Sequence, residues 1–232
     1  LFLIFTLPMI YSQDFNEIVG SESGNANAGE SITAGDRNVI FGDSAGVALT
    51  SGSGNVLLCY LAGRNNTNSQ NVFIGEGAGF SNTSGNDNVF IGAEAGFFNT
   101  ASDNTFIGTE AGENNTTGAD NVFVGEEAGA ANISGDDNVF VGEDAGNANT
   151  SGDDNTFVGE SAGFMNTTGS GNTFIGGRSN STLEVLIYDR YDVVNRAAGS
   201  ENLGGNFNTL VGSGAGASVE NANSNTFVGY AA

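Results

Sequence analysis

The stretch Asn121-Val-Phe-Val-Gly-Glu-Glu-Ala-Gly129 is followed 17 residues on by Asn138-Val-Phe-Val-Gly-Glu-Asp-Ala-Gly146, and that echo decides the fold. The pattern Asn-x-Phe-Ile/Val-Gly-x-x-Ala-Gly starts at Asn71, Asn88, Asn104, Asn121, Asn138, Asn155 and Asn172, a spacing of 17 with one step of 16. Short periods of this kind belong to solenoids, where each repeat buries its apolar face only against its neighbours. Weaker copies extend the register back to Asn55, Asn38 and a degenerate start at Ser21, whose Ala28-Gly29 still falls on the Ala-Gly step. Forwards, a coil of 19 residues leads to Tyr191, then to Asn208 and Asn225. The expectation is an all-β chain, a parallel β-solenoid (β-roll) of about 13 coils and about 60 Å length.

Aligning the copies produces columns of identical residues. Position three is Phe73, Phe90, Phe106, Phe123, Phe140, Phe157 and Phe174, a continuous aromatic stack. Positions five and nine are glycine, where a tight coil needs positive φ or close backbone approach. Position eight is alanine, small enough to sit under a bend. Asparagine fills position one and, through Asn82, Asn99, Asn115, Asn132, Asn149 and Asn166, position twelve. Stacked amides of this kind hydrogen-bond from one layer to the next. Position thirteen, with Thr83, Thr100, Thr116, Ile133, Thr150 and Thr167, suits a second short strand, and its hydroxyl column raises ice binding as an alternative function.

Within the first strand, Phe points one way while the flanking Val/Thr and Ile/Val point the other, so both faces are apolar or nearly so. One fills the coil. The other needs cover, which predicts self-association along the rod axis. Pattern alone leaves open which face turns inward.

The chain carries 27 acidic residues against five basic ones, all Arg, for a net charge of −22. Between Asn65 and Gly177 there are 16 acids and no base. Nucleic acid and anionic membrane are therefore excluded as partners by repulsion. Lys and His are absent, which removes the usual proton shuttle, the commonest zinc ligand and the Schiff-base amine, so no enzyme activity is expected. Cys59 is the single cysteine and takes a glycine position, reading as a small core residue.

The acids themselves form columns. Asp87, Asp103, Asp120, Asp137 and Asp154 each precede the Asn of position one, and a second group including Glu76, Glu94, Glu110, Glu126, Glu143 and Asp144 follows the strand. No cofactor is required by this pattern, but the Asp column is a candidate Ca²⁺ site, since stacked carboxylates repel unless solvated or neutralised by cations.

Other motifs dissolve into the repeat. Gly42-Asp-Ser-Ala-Gly46 and Gly159-Glu-Ser-Ala-Gly163 match the nucleophile elbow of hydrolases but have no histidine to serve as base, and both fall on the repeat's turn. Gly75-Glu-Gly-Ala-Gly79 imitates a dinucleotide loop with no helix after it. Sequons at Asn82, Asn115, Asn132, Asn149 and Asn166 are explained by the periodic Asn-Thr.

Residues 1–13, with the apolar run Leu1–Ile10, read as part of a signal peptide, which implies a secreted or cell-surface protein with no membrane anchor in this stretch. Residues 14–37 read as a linker and capping coil, 38–177 as regular coils, 178–207 as irregular coils with a longer strand, and 208–232 as regular coils again. The segment Leu183–Val194 breaks the Gly-rich texture; it reads as a degenerate repeat with a longer strand, and a ligand-contacting bulge is the alternative.

The unit resembles the head repeats of trimeric autotransporter adhesins of the YadA type, though its period is longer. It is more similar still to the Asn-Thr-Phe-Ile-Gly-x-x-Ala-Gly repeats of large secreted bacterial proteins and phage tail fibres. Asn104-Thr-Phe-Ile-Gly-Thr-Glu-Ala-Gly112 and Asn155-Thr-Phe-Val-Gly-Glu-Ser-Ala-Gly163 carry the likeness, which covers about residues 21–232. The resemblance implies a left-handed coil, a homo-oligomer with three chains to a bundle, and a structural or adhesive role in a surface fibre. The alternative is a ligand-binding solenoid for Ca²⁺, glycan or ice, acting through its acidic or Thr columns.

Overall fold

The computed structural model describes residues 16–19, 27–177, 198–199, 202–216 and 221–230. The signal-peptide stretch 1–13 and the segment Leu183–Val194 lie outside the described residues. Twelve strands of three residues each follow one another: β1 (Glu17–Val19), β2 (Val39–Phe41), β3 (Val56–Leu58), β4 (Val72–Ile74), β5 (Val89–Ile91), β6 (Thr105–Ile107), β7 (Val122–Val124), β8 (Val139–Val141), β9 (Thr156–Val158), β10 (Thr173–Ile175), β11 (Thr209–Val211) and β12 (Thr226–Val228). They form one parallel sheet in strict sequence order, so each strand is a rung and the rest of each repeat is the return path. Among the described residues there is no helix.

Each strand is short because its ends are fixed by the sequence. An Asn precedes it, and the glycine after it takes a φ that side chains rarely adopt, as at Gly75 (φ 141), where a Cβ would collide with the backbone of Gly92 in the next coil. The glycine of position nine is left-handed, and its missing side chain makes room for the coil's own Phe, as Gly129 does for Phe123.

The inward face is now settled. The seven Phe are fully buried, with successive ring centroids 4.7 to 4.9 Å apart and planes within 9° of parallel. Their neighbours in the core are the alanines of position eight, and the column continues through Ile40, Leu57 and Leu210. Burying one Phe contributes about 1.5–3 kcal/mol, and its stacking adds about 0.5–1.5 kcal/mol.

Among the described residues there are twelve rungs against the expected thirteen coils, and the reading of the first coil changes. At the N-terminus the first rung begins at Asn16, not Ser21: β1 pairs with β2, and Asn38 donates its backbone N–H to Asn16 Oδ1 at 2.9 Å. Ala28-Gly29 keeps its step, with Gly29 N–H donated to the Ala45 carbonyl at 2.9 Å. Towards the other end β10 pairs directly with β11, and the coil start expected at Tyr191 lies outside the described residues. Ala198 donates to the Gly176 carbonyl at 2.9 Å, as Ala128 does to Gly125 and Ala145 to Gly142 in the regular coils. Among the described residues, the coil that leaves β10 at Gly176 therefore resumes its turn at Ala198.

The expected second strand is also absent among the described residues. Position thirteen joins coils through isolated bonds, such as Thr150 N–H to Thr167 O at 2.8 Å, because the chain bends there. The 16-residue coils drop the residue after this bend: Asn99 reaches the Ala101 carbonyl two residues on, whereas Asn82 reaches Gly85 three residues on.

Candidate functional site

The coil has two interior ends. Opposite the Phe stack, both Asn columns are fully buried. Asn138 donates its backbone N–H and its Nδ2 to Asn121 Oδ1 at 3.0 and 3.1 Å, and the same Nδ2 donates to the Gly152 carbonyl of its own coil at 2.8 Å. Asn149 Nδ2 donates to Asn132 Oδ1 at 2.8 Å and to the same Gly152 carbonyl at 3.1 Å. One carbonyl therefore accepts from both columns, and each amide both closes its own coil and fastens it to the one before. Burial of the position-twelve amides also means that the sequon asparagines Asn82, Asn115, Asn132, Asn149 and Asn166 are closed to glycosylation in the folded chain.

A third ladder was missed by the sequence reading. At position sixteen a side-chain oxygen accepts the backbone N–H of the equivalent residue one coil back: Ser53 from Asp36, Asn86 from Ser69, Asp153 from Asp136, Asn206 from Ser170. The residue type varies while the acceptor chemistry does not, so a search for identical residues passes over it. Ala119 interrupts the ladder, leaving no side-chain acceptor opposite Ser102.

The candidate Ca²⁺ residues Asp87, Asp103, Asp120, Asp137 and Asp154 all stand at a left-handed corner, with φ between 56 and 63. Aspartate is among the few residues that tolerate that conformation, which supplies a backbone reason for the column. Their carboxylates arrive one per coil, and among the described residues no group of three or more His, Cys, Asp or Glu is placed to hold a metal ion. Like charges along the column do interact: the Asp137 carboxyl is held above its ordinary value by desolvation first and then by Asp120, Asp154, Asp136 and Asp153. Glu113 is raised in the same way, by desolvation and then by Glu110, Glu94 and Glu127.

The acids after the strand sit at a second corner. Glu94, Glu110, Glu127 and Asp144 are left-handed there, as are Ser44 and Ser161 of the two hydrolase-like motifs. Both serines are buried in the turn. Hydroxyls of the Thr column donate to carbonyls of the next coil, Thr150 Oγ1 to Thr167 at 3.0 Å and Thr116 Oγ1 to Ile133 at 2.9 Å, so they are engaged within the rod. Cys59 is exposed, at φ 97 where the position-five glycines lie between 125 and 144, which corrects its reading as a core residue.

On the outer side of the strands the second and fourth positions form a continuous strip of Val, Thr, Ile, Leu and Phe from β2 to β12. Most of its members are half-buried and the rest exposed, with Val122 at 36 %, Phe41 at 58 % and Val228 at 70 %. No helix among the described residues is long and apolar enough to cross a membrane. No protein-family model, curated protein or solved structure matches the chain.

Proposed function

We propose that the chain is a non-catalytic structural and adhesive module of a secreted or cell-surface fibre, a stiff rod that holds a binding surface away from its base. The reading is carried by the deployment of the buried polar groups. The amides of Asn121, Asn138, Asn132 and Asn149 join one coil to the next. An interior made of fasteners resists bending, and these amides are spent on holding coils together. The resemblance to adhesin heads and phage fibres supports the same role, with copies of the chain associated side by side. Export follows from the apolar leader.

Whole coils are the unit of length, so excising residues 88–137 should shorten the rod by about 14 Å with its cross-section unchanged in solution scattering. Beads coated with the two forms should hold their contacts at separations that differ accordingly in force–distance measurements. A changed cross-section, or contact distances that ignore the deletion, would overturn the rod reading.

A further inference from the structure

The outer strip is free of charge along its whole length, yet it is framed by carboxylates. Two residues before each strip residue of position two stands the corner occupied by Asp87, Asp103, Asp120, Asp137 and Asp154. Two residues after each residue of position four stands the corner that carries Glu76, Glu126, Glu143 and Glu160. An apolar band between two acidic rims is an unusual surface for a chain of net charge −22. Uncovered, it matches the largest apolar patches that single chains expose, which are often functional.

We propose that a second copy of this chain seats on the strip, and that the acidic rims make the pairing depend on ionic strength, so that added salt drives association. The inference rests on the fibre reading above and gives its self-association a surface and a control.

Three observations favour a second copy over an unrelated partner. The first is period. The rungs repeat with the 4.7 to 4.9 Å spacing of the Phe stack, and only a surface with the same period stays in register along the full strip. The second is area. Ten intervals of about 4.8 Å and a width of about 11 Å give roughly 500 Å² on each copy, so a pair covers about the 1,000 Å² expected of a specific interface. The third is composition: Val, Ile and Thr on a pleated face are what sheet-on-sheet packing uses.

The control follows from distance. Sheets packed face to face lie about 10 Å apart, which brings opposing rims to about one Debye length at 0.1 M salt. At about 0.01 M the screening length is about 30 Å, and every rim carboxylate is felt across the interface. Apolar contact is insensitive to that change or strengthened by salt, so the balance moves towards pairing as salt rises.

The test is the solution mass of the full chain by sedimentation equilibrium, with NaCl raised from about 10 to about 300 mM. Pairing should tighten at least about tenfold over that range. A single-chain mass at every salt concentration, or association that weakens as salt is added, overturns the inference.

Two variants locate the effect. Val122→Asp with Val124→Asp leaves the buried Phe123 in place and should keep the β spectrum and cooperative melt while remaining single at all salts; pairing like wild type would place the interface elsewhere. Asp103→Asn with Asp120→Asn and Asp137→Asn keeps residues that tolerate the left-handed corner, and should pair already at low salt. An unchanged salt response would remove the rims from the mechanism. Scattering on the same samples separates the two readings: rod dimensions in a single-chain sample sink the pairing alone, and their loss sinks the fibre reading.

Discussion

The two interior ends of each coil hold the rod by different physics, and they tolerate change differently. At the polar end, position one is asparagine in every coil from Asn16 to Asn225. At the apolar end the same alignment runs through Ile40 and Leu57, then seven Phe, then Leu210. Only an amide of that length can accept two bonds from the coil ahead while donating to the carbonyl of its own coil; aspartate has no donor and glutamine reaches too far. Packing asks only for an apolar side chain of about the right volume. Directional bonds therefore fix identity, while close packing fixes size.

Asn121→Asp should break the rod most severely. It withdraws the donor from the Gly135 carbonyl and places a carboxylate in a fully buried column, at a cost of about 3–5 kcal/mol. Urea unfolding followed by circular dichroism measures it, and a loss below about 1 kcal/mol would show that the amides are not the fasteners.

Phe123→Leu should cost only about 1–1.5 kcal/mol, because leucine already fills this column at Leu57 and Leu210. If it proved as damaging as Asn121→Asp, the contrast between the two ends would fail.

Ala119→Ser sharpens the contrast in the other direction. It supplies the missing acceptor opposite Ser102 and should raise stability by up to about 1 kcal/mol, or about 2–4 °C in melting temperature. No gain would mean that the position-sixteen ladder contributes nothing measurable.

The smallest effect belongs to the solvated rim. Asp137 is raised from 3.8 in the folded chain, so the folded state holds its proton more tightly than the unfolded one. Its stabilising contribution is complete below the ordinary carboxylate value and is lost as pH rises through the raised value. Asp36, lowered chiefly by its hydrogen bond with Ser53, acts oppositely and loses its contribution as pH falls. Thermal melts at about pH 3 and pH 7 should therefore show that Asp137→Asn gives up part of any acid-side gain seen in wild type; an identical pH difference would remove Asp137 from the balance.

Most of the repeat was legible because a solenoid writes its contacts as identity at a fixed spacing. Phe73 to Phe174 and Asn82 to Asn166 stack as their spacing required. What was not legible had no such signature. Position sixteen mixes Ser, Asn and Asp, and the rung at Asn16 lies 22 residues from its neighbour.

The sequence by itself determined the period, the stacking order and the residues of the two interior columns, because equivalent side chains one period apart can meet only if the coils align. The tertiary structure alone decided that Phe turns inward, that each described coil has a single strand, that the Asp column marks a left-handed corner, and that β11 pairs directly with β10. Those outcomes depend on where the backbone turns. A turn is fixed by dihedral angles that glycine, aspartate, glutamate and serine all supply here, so the residue names do not reveal it.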